Sequence, residues 1–352
     1  MKIVFFIGSM SGGGAERVIS ILANRYCEKG WDVEIALLLR NEVGYQLNEK
    51  VKIVDLTGKY ESYFKNLPAW MLGIRKYLKR SRPDRVVSFI GRINALVLMS
   101  TFGMKVPMIV SERNDPKHDG RGAMMLSLCN RSYGFKRCRA IVHQTKYEES
   151  CFDPSLAAKS HIIPNPVAVH AERKAPRVCS VVTAGRLSLQ KNHAMLIRAA
   201  SALKEEFPEL TVDIYGEGEL REQLQALIDE NGMAERITLC GNVSDLHARI
   251  ADAGVFAMTS EFEGLSNALL EAMMLGIPCI STAYPGADEL VRHGENGILV
   301  PVGDENALAA ALRALLVDGA MREHLSEEAL RSSQNYKKES VLELWERVIE
   351  NV

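Results

Sequence analysis

Short apolar runs alternate with helical stretches along this chain, and that alternation limits the fold more than any other feature. Strands separated by helices have to run parallel, and a parallel strand is covered on both faces, so it reads as a near-continuous apolar run. In residues 1–165 the pattern predicts strands at 2–7, 32–39, 51–56, 84–88, 107–111 and 139–143, with helices near 15–29, 66–81, 92–103, 121–135 and 145–153. Ile163-Pro-Asn-Pro-Val167 then stops regular structure, because two prolines fix the backbone and remove donors. A second series follows, with strands at 179–184, 211–215, 236–240, 255–259 and 278–282 and helices near 191–206, 218–230, 244–252, 267–275, 304–317 and 319–333. The expectation is α/β architecture in two doubly wound parallel-sheet domains, 1–165 and 166–338. At 352 residues and 47% hydrophobic content, each can bury its own core.

The stretch Ser260 to Pro278 says most about chemistry. It closes an apolar strand, turns at Glu263-Gly264 and opens a helix with Ser266 and Asn267, both good N-cap residues, in its first turn. In an open α/β sheet ligands sit beyond the carboxyl ends of the strands, where a helix N-terminus favours phosphate. Glu263 and Glu271 are eight residues apart, one in the loop and one in the helix, so they cannot share a proton. They can hold two separate hydroxyl-bearing parts of one elongated ligand.

Glu263-x7-Glu271, followed by Gly276-Ile-Pro-Cys-Ile-Ser-Thr282, Gly286-Ala-Asp-Glu289 and Asn296-Gly-Ile-Leu-Val-Pro301, resembles retaining nucleotide-sugar glycosyltransferases of family four. Gly185-Arg186-Leu187 with Lys191-Asn192, Gly216-Glu217-Gly218 and Gly12-Gly-Gly14-Ala-Glu16 extend the resemblance, in order, over most of the chain. It implies the GT-B fold, two Rossmann-like domains facing a cleft, with the last helix crossing back to the first domain. The closing segment 339–352 carries Val341, Leu342, Leu344, Trp345, Val348 and Ile349, a stripe that has to be buried somewhere.

By the same resemblance Arg186 and Lys191 neutralise the donor's diphosphate, Lys191 opening the helix after the strand. Glu263 contacts the donor sugar and Glu271 the ribose, while the amides of Gly264, Leu265, Ser266 and Asn267 bind phosphate. Gly216 and Val243 complete the donor side; Gly13, Gly14, Arg113 and Asn114 stand on the acceptor side. Many relatives have a histidine where this chain has Arg113. His118 and His143 are nearby in sequence, and a lone histidine is more often structural than catalytic. No Asp-x-Asp occurs, which fits catalysis without a metal or other cofactor. The implied activity is hexosyl transfer from a UDP-sugar to a lipid-linked (polyprenyl diphosphate) glycan. Rival readings are a UDP-sugar epimerase of the same fold, a non-catalytic nucleotide-sugar-binding subunit, and a glycosidase, which would need no phosphate-binding helix.

Composition bears on compartment and partner. Seven scattered cysteines without C-x-x-C spacing suit a reducing compartment rather than disulfides or zinc. The apolar opening 3–7 is too short for a secretory core, and no apolar run reaches the roughly 20 residues of a membrane span. Residues 1–165 carry 26 Lys and Arg against 15 Asp and Glu, a net +11, and residues 166–352 carry 17 against 29, a net −12. The basic half suits an anionic partner, expected here to be a membrane surface and not nucleic acid. The protein is then cytoplasmic and peripheral on the inner face of the membrane. Residues 63–80 mix large apolar and basic residues and read either as an interfacial helix or as a helix packed on the sheet. The loop from Ser9 to Glu16 lacks G-x-G-x-x-G spacing, which disfavours a dinucleotide site.

Overall fold

The computed structural model describes residues 1–11, 13–58, 63–117 and 122–352, without the side chains of residues 63 and 64. Gly12 and His118 lie outside the described residues. The chain divides into two compact units, Met1–Pro166 with Glu339–Val352, and Val167–Lys338.

The first unit is built on β1 (Lys2–Ile7), β2 (Asp32–Leu37), β3 (Lys52–Asp55), β4 (Arg85–Phe89), β5 (Met108–Ser111), β6 (Cys138–His143) and β7 (Ser160–Ile162), all parallel, in the order β3-β2-β1-β4-β5-β6-β7. The helices among its described residues are α1 (Gly14–Glu28), α2 (Tyr63–Ser81), α3 (Gly91–Ser100), α4 (Gly122–Tyr133) and α5 (Lys146–Ser150). Ile3, Phe5 and Ile7 enter the core beneath α1, while Val4 and Phe6 enter the one beneath α2, α3 and α4. Burial on both faces is why the β1 run has no polar alternation.

The second unit repeats the plan with β8 (Arg177–Ala184), β9 (Thr211–Tyr215), β10 (Ile237–Gly241), β11 (Ala253–Met258), β12 (Cys279–Thr282) and β13 (Ile298–Val300), in the order β10-β9-β8-β11-β12-β13. Its helices are α6 (His193–Ser201), α7 (Arg221–Glu230), α8 (Leu246–Ile250), α9 (Asn267–Met274), α10 (Glu305–Val317) and α11 (Gly319–Ser333). Residues of α6, α7 and α10 cover one face, and those of α8 and α9 the other. The closing helix α12 (Lys338–Asn351) buries Val341, Leu342, Trp345, Val348 and Ile349 in the core of the first unit. Trp345 stacks on Phe89 with ring centres 5.7 Å apart.

Two strands escape sequence reasoning. β7 and β13 are three-residue edge strands, and three residues hold too few alternations to register as a pattern. The helices expected at 145–153 and 244–252 shrink to the five residues of α5 and α8. Among the described residues no helix is long and apolar enough to cross a membrane.

Candidate functional site

In the second unit β8 and β11 are neighbours from which the chain winds outward in opposite directions, so their carboxyl ends form the switch point at which open α/β sheets take ligands. β8 delivers Gly185-Arg186-Leu187 there and β11 delivers Thr259 to Glu263. Hydrogen bonds lace the two segments together. Thr259 Oγ1 donates to the Lys191 carbonyl at 3.0 Å, the Glu261 amide to the Gln190 carbonyl at 2.8 Å, and Gln190 Nε2 to the Phe262 carbonyl at 2.9 Å. Asn192 Nδ2 donates to Glu261 Oε1 at 2.5 Å. Across this seam Lys191 Nζ pairs with Glu263 Oε1, which also accepts from Ser260 Oγ at 2.6 Å. Glu263 is 8% exposed. A carboxylate so buried needs such partners.

Lys191 does not open a helix as the spacing suggested. It ends a single 3₁₀ turn, Leu189–Lys191, and Asn192 follows in the left-handed conformation (φ 44°, ψ 47°). Asn tolerates that conformation, and its Oδ1 caps α6 by accepting the Met195 amide at 3.3 Å. The kink turns Lys191 back over Gly185, where any Cβ would lie 3.1 Å from the Lys191 stem. Gly216 and Gly218 are required for a related reason. A Cβ on Gly216 (φ 141°) would fall 2.0 Å from the Gly185 carbonyl oxygen, and one on Gly218 2.3 Å from that of Leu187. The Leu187 amide donates to Glu217 at 3.0 Å, closing the two loops on each other. Arg186 is exposed.

Gly264 and Leu265 lead into α9, capped by Ser266, whose Oγ accepts the Leu269 amide at 3.4 Å; Asn267 is the first helical residue. Leu265 and the half-buried Val243 belong to the core beneath α9. Glu271 is 5% exposed in the second turn, and His247 Nε2 of α8 lies 3.4 Å from its Oε2. His193, the first residue of α6, is buried against the backbone of Gly185 and Arg186. Burial, with the Lys191 charge, pushes its pKa down to about 4, so the ring is neutral near pH 7. Ser260, His193 and His247 were missed by sequence reasoning. The Ser260-x-x-Glu263 spacing was a visible signal; nothing in sequence marked His247.

In the first unit the corresponding ends are those of β1, β4 and β5. Gly13 precedes α1 as its N-cap and Gly14 is its first residue; the Gly13 carbonyl accepts from Tyr45 Oη at 2.9 Å. Arg113 is half-buried between Phe89 and Trp345, 5.3 and 5.2 Å from their ring centres. Its Nε donates to Ser111 Oγ at 2.8 Å and Nη1 to Asn165 Oδ1 at 2.9 Å, while Nη2 is buried and has no partner among the described residues. Burial pulls its pKa down to about 10, against the opposing charges of Glu148 and Glu112. Asn114 beside it is exposed. Glu148 is buried and accepts the Gln144 amide at one oxygen, the other having no partner among the described residues, and burial holds its pKa well above the usual carboxylate range. The Thr145-x-x-Glu148 capping pattern could have revealed it. His143 packs on Phe152 with ring centres 5.0 Å apart, and burial pushes its pKa down to about 4. Among the described residues no group of three or more His, Cys, Asp or Glu is placed to hold a metal.

Residues 171–332 match the family model for glycosyl transferases group 1. Over its full length the chain is 28% identical to a Campylobacter jejuni α-1,4-N-acetyl-D-galactosaminyltransferase named for a GalNAc-GalNAc-diNAcBac-PP-undecaprenol substrate, covering 99% of that protein. It is 28% identical to the lipopolysaccharide core biosynthesis glycosyltransferase LpsE of Rhizobium meliloti, over 90% of this chain and 89% of that one. The fold superposes on Anabaena Alr3699/HepE, solved in complex with UDP, with a TM-score of 0.85 at 19% identity and full coverage of both chains. It superposes on the lipopolysaccharide outer core galactosyltransferase WaaB with a TM-score of 0.78 at 19% identity, covering 100% of this chain and 99% of that one.

Proposed function

We propose that this chain, whose residues 171–332 match the model for glycosyl transferases group 1, is a GT-B glycosyltransferase that moves a hexosyl or N-acetylhexosaminyl unit from a UDP-sugar, with retention, to a hydroxyl of a polyprenyl-diphosphate-linked glycan. The observation that carries the reading is the Lys191–Glu263 pair at the switch point of the second sheet, with the exposed Arg186 on the adjoining loop. In this reading Lys191 and Arg186 stabilise the charge that grows on the departing diphosphate, the part a divalent cation plays in other transferases, so no metal is required. The α9 N-terminus, from Gly264 to Asn267, receives phosphate, and Gly216 and Val243 flank the nucleoside. Glu263, its ammonium partner drawn toward phosphate, turns its carboxylate to the sugar hydroxyls; Glu271 holds the ribose. The departing phosphate assists deprotonation of the acceptor hydroxyl on the same face, so no enzyme nucleophile is needed. Gly13, Gly14, Arg113 and Asn114 of the first unit take the acceptor side.

The acceptor class is supported by the substrate for which the Campylobacter relative is named and by the basic first half, which suits peripheral binding to an anionic membrane on its inner, cytoplasmic face. The test is incubation with a panel of UDP-sugars, undecaprenyl-diphosphate glycans and EDTA, followed by product mass. Arg186→Ala and Lys191→Ala are each expected to lower kcat by about 10²-fold or more. Glu271→Ala should chiefly raise the donor KM, since a ribose contact is alike in ground and transition states. Near-normal turnover in both cation variants rules out the site. A sugar isomer formed from UDP-sugar alone would favour the epimerase reading.

A further inference from the structure

We infer that His247 is a positioning residue for Glu271, and that it thereby sets how strictly the enzyme demands ribose hydroxyls on its donor. This rests on the reading of Glu271 as the ribose contact given above. Glu271 lies in the second turn of α9 and is almost fully buried, so its carboxylate needs donors close by. One comes from a separate element: His247 on α8 places Nε2 3.4 Å from Glu271 Oε2.

The ring is itself oriented from outside. The backbone amide of His170 donates to His247 Nδ1 at 3.3 Å, and the His170 ring lies beside it with centres 6.0 Å apart. A nitrogen that accepts a hydrogen bond carries no proton, so in the neutral ring the proton is on Nε2, the nitrogen facing the carboxylate. The donor toward Glu271 is therefore set by a backbone group that neither titrates nor rotates. A separation of 3.4 Å is loose for a hydrogen bond, and contacts of this kind tighten when a ligand draws the groups together. The arrangement is the one by which metal-binding and catalytic groups are steered by an outer partner, applied here to a carboxylate that receives a vicinal diol. Two O–H donors on adjacent carbons are met by one carboxylate only if its plane is fixed, and fixing that plane is what the His247 contact does.

The measurement is calorimetric affinity for UDP, 2′-deoxy-UDP and 3′-deoxy-UDP in the full chain. Wild type should prefer UDP to at least one deoxy analogue. His247→Phe, which keeps the bulk and loses the donor, should weaken UDP by about tenfold, the size of one modest hydrogen bond, and leave the deoxy analogues nearly unchanged, so the preference collapses. His247→Gln, which retains an N–H of similar reach, should restore most of it. Loss of packing alone would weaken all three nucleotides together. If His247→Phe does not fold, His247→Asn, too short to reach Glu271, replaces it. Glu271→Gln separates the two claims. If it lowers the preference and His247→Phe does not, His247 is only packing and the inference is overturned. If Glu271→Gln itself leaves the preference intact, or wild type binds UDP no better than its deoxy forms, the ribose reading of Glu271 falls and the inference with it.

Discussion

Gly216 shows how much one missing side chain can decide. Its φ of 141° and the 2.0 Å approach of a Cβ to the Gly185 carbonyl mean that any other residue has to push the β9–α7 loop off the segment carrying Arg186 and Lys191. Gly216→Ala should destabilise the second unit by about 2–5 kcal/mol, combining steric overlap with backbone strain, and weaken donor binding as well. Gly303→Ala is the control, because Gly303 also has positive φ (76°) but nothing within 4 Å of its Cβ position. It should cost only about 1–2 kcal/mol and spare the donor. Equal losses in urea titrations of both variants would mean that the loop contact contributes little. Ile90 is a different case. A β-branched residue at φ 75°, directly after the Phe89 ring that Arg113 covers, holds strain worth about 1–3 kcal/mol.

At the scale of the element, α2 separates two readings that its sequence left open. Trp70, Ile74, Tyr77 and Leu78 are buried on the sheet, and Trp70 Nε1 donates to the Leu56 carbonyl at 3.0 Å. Trp70 and Ile74 are therefore core residues and not lipid contacts. Arg75 is also engaged, donating to the Phe102 carbonyl at 2.6 Å. Among the residues α2 leaves outward are Leu72, 71% exposed, with Met71, Lys76, Lys79 and Arg80. Phe102, next to the Arg75 contact, is 70% exposed. If this face carries the proposed membrane docking, Lys76→Gln, Lys79→Gln and Arg80→Gln together should lower partitioning onto anionic vesicles by about 10²-fold, at roughly 1 kcal/mol per cation. Salt should do the same to wild type, since screening acts over about 10 Å at 0.1 M. Co-sedimentation indifferent to lipid charge, salt and the triple substitution would leave α2 as a packed helix with a solvated face.

Over the whole molecule, each unit carries a buried neutral histidine. His143 in the first and His193 in the second are both pushed down to about 4, from about 6.5 in an unfolded chain. A depressed pKa means that the folded state resists protonation. The stability this represents is present above pH 6.5 and is lost as pH falls toward 4, by up to about 3 kcal/mol for each ring. Glu148 works in the opposite sense. Its raised pKa favours the fold at low pH, and that contribution is lost as pH climbs through the raised value. Denaturant titrations from pH 4.5 to 8 should therefore show a flatter acid limb in His143→Gln and His193→Gln, and a flatter neutral limb in Glu148→Gln. Unchanged slopes in all three would show that these groups do not titrate with folding. The sequence alone determined the two α/β series, since continuous apolar runs have few other uses, and it marked Lys191, Glu263 and Glu271 through ordered local motifs. It also required that the stripe from Val341 to Ile349 be buried. What it did not contain was which side chains meet: Lys191 with Glu263 across 72 residues, Glu271 with His247, Arg113 between Phe89 and Trp345. Periodicity encodes which face of an element is buried, whereas those meetings depend on strand order and on loops closing within a few tenths of an ångström. Only the folded chain sets either.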